Sequence, residues 1–469
     1  MTTLPRAAPG AYGQWLPAPI ALGAAAVVGA LAGVQPLLAL GLVSVAVVAA
    51  LAFLAPVAHL TLLLLVTAIV PYDLQNAVGV SGGSSAGLIF SDLLLLTGLA
   101  RATVVLLRRE LYGRHLLAGA AIVTLLAVTG LQTLRALQLG VPVSLAGFEF
   151  RALLGWSTLL IAMPILMDAA GRRRLLKGLL VVGLGLGLWG LAQYFVNIPV
   201  IGGGSAGVRE NVAFTAGARS IQGGLFGFPI AFVLGLAALS SAQRTSPLVR
   251  SALIAVVATN GASLLLTYQR TFWVATIVGF LFIVMKAGWS QKAKVVVLLV
   301  AALLSVLPLL AVLSPGSLVA AQQRFLSIGQ YGSDNSVRTR IVETRAVARK
   351  IREAPIAGWG IGDEVSFGYP WLRVPPTSTP YTHNGYLWLA WKLGIPAALV
   401  LLALLAWALA ARPPRGLDPM TSRVRHGAQA GLLIALTVSL TFPAFRALAI
   451  TTTLGVLVAL ALMTPATGD

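Results

Sequence analysis

Residues 150–195 read FRALLGWSTLLIAMPILMDAAGRRRLLKGLLVVGLGLGLWGLAQYF. Two apolar runs, near 150–168 and 175–195, flank a short knot of positive charge formed by Arg172, Arg173, Arg174 and Lys177. Each run is long enough to cross a bilayer as a helix, where only a helix or a closed barrel satisfies its own backbone. The basic turn between them marks a cytoplasmic loop. This unit, an apolar pair joined by a positive turn, decides the fold because it recurs along the chain.

Candidate spans lie near 16–34, 36–53, 55–71, 89–107, 115–133, 150–168, 175–195, 220–240, 251–268, 271–287, 295–313, 394–411, 427–444 and 447–464. Basic short loops around 101–114, 172–177, 244–250, 286–294 and 412–425 then fall on one side, which sets both termini in the cytoplasm. With 58% hydrophobic and 10% charged residues, and a mean hydropathy of +0.90, a soluble core of this length has no room for the apolar surface. We therefore expect an all-α polytopic membrane protein with about 12–14 transmembrane helices. The whole chain, 1–469, is expected to form a single integral-membrane domain holding one large extracytoplasmic loop, 314–393.

The absence of cysteine excludes disulfides, thiolate chemistry and cysteine-bound metals. A formal charge of +20 would suit nucleic acid, but the basic residues are dispersed between apolar segments. Topology and anionic lipid headgroups account for them better, and no nucleic-acid partner is expected.

Within the large loop, Ser336–Ala354 has helix-forming composition, with Ile341, Ala348 and Ile351 spaced as one apolar stripe. An amphipathic helix lying on the outer membrane surface fits this pattern. Pro355 and then Gly358, Gly360 and Gly362 end it in a turn-rich stretch. The GWGIG run is no dinucleotide fingerprint, since no strand precedes it and no helix follows closely.

Thirteen basic residues, from Arg135 to Arg373, map to outward loops or outer helix ends, and only Lys350 among them is lysine. Guanidinium suits bidentate contact with phosphate oxygens and stays charged when partly dehydrated. Single members of this set serve lipid headgroups well, but the group points to a phosphate-bearing substrate on the outer face. Arg270, in LLLTYQRTFWVATIVGFL, sits between two apolar segments with almost no loop, an expensive place for a charge unless it faces a cavity or partner. Arg219, in ARSIQGGLFGFP, begins a predicted span beside glycines that permit close approach.

His383 lies in TPYTHNGYLWLAWKLGIP, residues 379–396, and is one of four histidines. Alone it reads as an interfacial residue bonded to a backbone carbonyl. Among outward arginines it reads as a general base, because clustered titratable groups mark sites. His59, His115 and His426 are expected at membrane interfaces. Asn384 is placed to cap the next helix, and Tyr381, Tyr386, Trp388 and Trp391 suit an interfacial belt better than sugar stacking. Asp92 and Glu149, at span starts, suit ion pairs with arginine.

Taken together, YQRTFW at 268–273, Arg340 with PIAGWG at 355–360, THNGYLWLAWKLGIP at 382–396 and RSIQGGLFGFP at 219–229 resemble the O-antigen ligase/polymerase superfamily of bacterial membrane glycosyltransferases. The resemblance spans about residues 215–410. It implies transfer of a glycan from an undecaprenyl-diphosphate-linked donor to an acceptor hydroxyl on a lipid or glycan. The active site would sit on the extracytoplasmic side of a bacterial inner membrane. It also implies His383 as catalytic base, Arg219, Arg270 and Arg340 at the donor diphosphate with Arg338 close enough to share that task, and Asn384 and Tyr381 in support.

The residues agree independently. The thirteen carboxylates are scattered and form no DxD or HExxH motif, so no acidic cage for a divalent cation is evident. Arginines would then neutralise the departing diphosphate, with no metal and no cofactor expected. The competing expectation is a transporter or flippase of an anionic lipid-linked glycan. It should show a repeated span pattern between halves, and the sequence has none.

Overall fold

The computed structural model describes residues 36–71, 75, 89–108, 113–198, 208–210, 219–241, 245–313, 315–326, 335–369, 375–414 and 416–464. Its helices are α1 Pro36–Leu54, α2 Pro56–Ile69, α3 Phe90–Leu107, α4 Arg114–Gln138, α5 Val143–Leu154, α6 Thr158–Leu166 and α7 Ala169–Phe195. They continue as α8 Gly227–Leu239, α9 Pro247–Leu266, α10 Arg270–Lys286, α11 Trp289–Leu313, α12 Pro315–Leu326 and α13 Asn335–Glu353. The last four are α14 Gly385–Leu393, α15 Ile395–Ala410, α16 Pro419–Ser439 and α17 Leu448–Leu462. Two small antiparallel hairpins interrupt them, β1 Val208–Glu210 with β2 Arg219–Ile221, and β3 Val365–Phe367 with β4 Thr377–Thr379.

The chain is an all-α polytopic membrane protein, as its hydropathy predicts. By length and composition, Phe90–Leu107, Arg114–Gln138, Val143–Leu166, Ala169–Phe195 and Pro247–Leu266 are each long and apolar enough to cross a membrane. Shorter apolar helices, among them α2, α8, α15 and α17, pack with them. The expected span 16–34 lies outside the described residues.

Packing explains which helices are central. Helix α8, GFPIAFVLGLAAL, is apolar on every side and buried along nearly its whole length between α9 and α16, as an all-round apolar helix must be. Helix α7 approaches α9 through small residues. A methyl group at Gly187 would come within 2.2 Å of Thr259 Oγ1, so only glycine admits this contact. There Asn260 Nδ2 donates to the Gly183 carbonyl at 2.8 Å. Helices α6 and α17 cross as closely, with Thr158 Oγ1 donating to the Thr452 carbonyl at 2.8 Å.

Two expected boundaries move. The span expected from residue 150 starts at Val143, and a 3-10 turn at Gly155–Ser157 separates α5 from α6. The span expected from residue 220 starts at Gly227, because Arg219–Ile221 pairs with Val208–Glu210 as strand. The Gln193 side chain fixes the following turn by bonding both the N–H and the carbonyl of Gly223, at 3.1 and 3.2 Å. Arg219 therefore opens a strand and not a span; its side chain, like Arg373, lies outside the described residues.

The loop helix forms over Asn335–Glu353, but its inward face differs from the expected stripe. Glu343, Ala346 and Val347 are buried, while Ile341 is 46% exposed. Helix α13 packs on α14 and β3 through this face, which leaves Ile341 on the outer side. The reason for an inward carboxylate is its partner.

Candidate active site

After α13 the chain turns through Gly358, Gly360 and Gly362, all at positive φ, and Gly358 packs on Gly394 at the end of α14. Gly358 has φ +66° and Gly394 has φ +84°, and a Cβ on Gly394 would lie inside van der Waals range of the Ile356 carbonyl. Their closeness lets the loop bond the end of α14: Trp359 N–H donates to the Trp391 carbonyl at 2.8 Å, Gly360 N–H to that of Lys392 at 3.1 Å, and Ile395 N–H to that of Pro355 at 2.8 Å. The β3–β4 hairpin follows, and the chain then runs through Tyr381 and His383 into α14. Asn384 caps that helix, its Oδ1 accepting the N–H groups of Tyr386 and Leu387 at 3.0 and 3.1 Å.

This route sets His383 against Glu343 on α13. The Nδ1 atom lies 2.7 Å from Glu343 Oε2, which also accepts the His383 backbone N–H at 3.3 Å. The other carboxylate oxygen, Oε1, accepts the Tyr369 hydroxyl at 3.0 Å. Glu343 is nearly sealed, whereas the His383 side chain is 32% exposed. An ionised carboxylate accepts only, so Nδ1 carries the proton and Nε2 of the neutral ring is the lone-pair nitrogen. Tyr381 Oη stands 3.3 Å from Nε2, with the two rings 5.2 Å apart.

Burial raises the Glu343 pKa, but the hydrogen bond and charge of His383, helped by the Tyr369 hydroxyl, outweigh it and hold the carboxyl below its usual range. Burial and then the Glu343 charge push the hydroxyls of Tyr369 and Tyr381 up, so both stay protonated donors. The Glu343 shift fixes the sign of one prediction. A depressed carboxyl stabilises the fold fully above its unfolded pKa, about 4.3, and that contribution is lost as pH falls through the folded value. The melting temperature of wild type should therefore exceed that of Glu343→Gln at pH 6, with the gap closing near about pH 3. A gap that widens on acidification would contradict the assignment.

The predicted site residues sort clearly. His383 and Tyr381 meet, with Tyr381 Oη 3.3 Å from Nε2, and the charges of Arg446 and Arg340 act on the Tyr381 hydroxyl to lower its pKa against the larger effect of burial. Arg338 is exposed on α13 two residues before Arg340. Arg270 is the half-buried first residue of α10. Its turn joins the C-terminal end of α16 through Thr271 Oγ1 and Thr441 Oγ1, 3.0 Å apart. The rings of Phe226, Phe272 and Phe442 meet edge-on or tilted with centroids 4.9 to 6.1 Å apart. They gather the GGLFGFP, QRTFW and SLTFPAF segments around one point.

Burial changes several expectations. His59, His115 and His426 are 1, 8 and 9% exposed. His59 and His115 lie in the first turns of α2 and α4, near helix ends as expected, but are packed against protein, and His426 lies within α16. His59 and His115 bond Thr97 and Thr464, each at 3.1 Å. Trp388 and Trp391 are fully buried and form no interfacial belt; Trp391 Nε1 donates to Asp363 Oδ2 at 2.7 Å. Asp92 does pair with Arg151, at 2.7 Å, and Glu149 with Arg446, at 3.1 Å.

Glu343, Tyr369 and Arg446 are site residues that sequence reasoning missed. Glu343 had a signal: it is one of two carboxylates on an arginine-rich helix, one turn from Arg340. Arg446 had the same signal as Arg270, a charge between two apolar segments with almost no loop.

Fold and site together define a polytopic membrane protein whose one accessible histidine, on a loop between spans, is oriented by a buried glutamate. Residues 253–402 match the family model described as O-antigen ligase. This match, over about a third of the chain, supports the resemblance to the O-antigen ligase/polymerase superfamily and a membrane glycosyltransferase type of function. The match includes Arg270, Arg338, Arg340, Glu343, Tyr369, Tyr381, His383 and Asn384, and leaves out Arg219, Glu149 and Arg446. No curated protein matches the chain.

Proposed function

We propose that the protein moves a glycan from an undecaprenyl-diphosphate-linked donor to an acceptor hydroxyl, with inversion, at the extracytoplasmic face of a bacterial inner membrane. The observation that carries this reading is the 2.7 Å contact of Glu343 with His383 Nδ1, which leaves Nε2 as a base at an accessible surface. The acceptor oxygen forms its bond to the anomeric carbon as its proton passes to Nε2. The bond from that carbon to the diphosphate oxygen breaks, and the electron pair leaves with the diphosphate. Glu343 stabilises the imidazolium so formed, by the orienter logic of a catalytic triad.

Arginine neutralises the leaving group in this scheme. Arg340 is the first candidate because it stands one turn before Glu343 on α13, and its charge acts on Tyr381 beside Nε2. Arg270 supports it from the α10 turn, with Arg338 and Arg219 as further contacts. Arg340→Ala should lower transfer roughly 10²-fold by analogy with loss of one oxyanion donor. Arg340→Lys should recover only part of it, since ammonium lacks the bidentate fork.

The test uses the purified chain in proteoliposomes with a lipid-diphosphate-linked glycan, an acceptor, EDTA and no ion gradient. Covalent product is expected. Movement of the lipid across the bilayer that needs a gradient and yields no product would favour a transporter. Inhibition by EDTA that Mg²⁺ reverses would overturn the arginine scheme.

A further inference from the structure

Behind Tyr381 lies a buried charge network that the transfer step leaves unused. Glu149 on α5 and Lys392 on α14 are both fully buried, with Lys392 Nζ 3.1 Å from Glu149 Oε2. The same carboxylate accepts the Gly362 N–H at 2.7 Å and Arg446 Nε at 3.1 Å. Beside it, Asp363 holds Lys350 Nζ at 3.0 and 2.8 Å, and its carbonyl accepts from Lys392. Three cations (Lys350, Lys392 and Arg446) thus meet two carboxylates (Glu149 and Asp363), leaving one positive charge over. Arg135, bonded to the Gly358 carbonyl at 2.9 Å, adds to the imbalance. Lys350 faces both oxygens of Asp363 and Lys392 is sealed in, so the surplus shows at Arg446. Arg446 shares its counter-ion, Glu149, with Lys392. A partly buried charge only half compensated in this way is costly, and an anion bound there offsets the cost.

Arg446 is also held in one orientation. Its Nε–H points at Glu149, and the guanidinium lies over the rings of Phe148 and Tyr381, 4.9 and 5.7 Å from their centroids. Among the described residues Nε makes its one hydrogen bond, which leaves two terminal amino groups for a ligand. The side chain is 19% exposed. At its foot an apolar groove enters the bundle, lined at one end by Phe148, Phe442 and Ala447 and further in by Ile230 and Thr453. Its empty space, open side included, is about 1280 Å³.

We propose that Arg446 and this groove form the seat of a lipid diphosphate: the apolar chain lies in the groove, and the guanidinium takes a phosphate in a forked contact beside Tyr381 and His383. Rigid presentation by Glu149 and two aromatic rings favours binding because little side-chain freedom is left to lose. The inference rests on the transferase reading and locates the donor within it, on residues outside the matched domain.

Binding without turnover tests it, with undecaprenyl diphosphate and undecaprenol as probes of the purified full chain. Arg446→Ala should weaken undecaprenyl diphosphate about tenfold or more and barely alter undecaprenol. Arg446→Lys, which keeps the charge at Glu149, should fall between. Ala449→Phe, on the groove wall, should weaken the long-chain lipid more than geranyl diphosphate. A diazirine-bearing prenyl diphosphate should label α8 or α17 in the wild-type chain, a readout independent of variant folding. Unchanged affinity in Arg446→Ala, or label confined to α10 and α12, overturns this seat while leaving His383-dependent transfer standing. A wild-type chain that binds no prenyl diphosphate overturns both the seat and the transferase reading.

Discussion

His383→Ala is expected to slow glycan transfer by about 10²–10⁴-fold while leaving donor affinity nearly unchanged. The imidazole is the accessible titratable ring at the centre of the site, and its Nε2 is the lone-pair nitrogen set by the Glu343 contact. Removing it takes away the proton acceptor for the attacking hydroxyl but none of the arginines assigned to the diphosphate. The loss should therefore appear in kcat with little change in KM. A His383→Ala enzyme within about threefold of wild type would show that the proton leaves by another route.

Glu343→Gln should lower kcat by roughly 10²-fold or more, again with little change in KM, because in the proposed scheme the nearly sealed Glu343 acts through His383 and not on the substrate. The amide oxygen can still accept from Nδ1, but it carries no charge to stabilise the imidazolium that forms during transfer. The amide can also turn its NH₂ toward the ring and select the wrong tautomer. Tyr369→Phe removes only the hydroxyl bonded to Glu343 Oε1 and should cost far less. Steady-state kinetics on the three variants would separate these effects. A Glu343→Gln loss confined to KM would make Glu343 a binding residue instead.

The helical membrane fold was legible because each apolar run must satisfy its own backbone in lipid, and that constraint is local. His383 could be singled out as a candidate from the sequence because it stands in a short motif among outward arginines. The pairing of His383 with Glu343 was not legible, because it joins residues 40 apart through a loop that turns at the positive-φ glycines Gly358, Gly360 and Gly362. The helical stripe misled at Ile341 because the inward face of α13 combines a polar contact at Glu343 with the small apolar residues Ala346 and Val347. Arg219 misled because hydropathy cannot tell a strand of three residues from the start of a span. Arg446 went unseen beside Arg270 although both break an apolar run, and only packing showed that it stands over Tyr381.

The central claim is that His383 Nε2 takes the acceptor proton, and chemical rescue tests it most directly. Transfer by His383→Ala in gradient-free proteoliposomes should rise severalfold with added imidazole, saturating as the small base fills the vacated space, while Glu343→Gln gains nothing. Equal stimulation of both variants, or none of His383→Ala at any imidazole concentration, would contradict the assignment of His383 as the base.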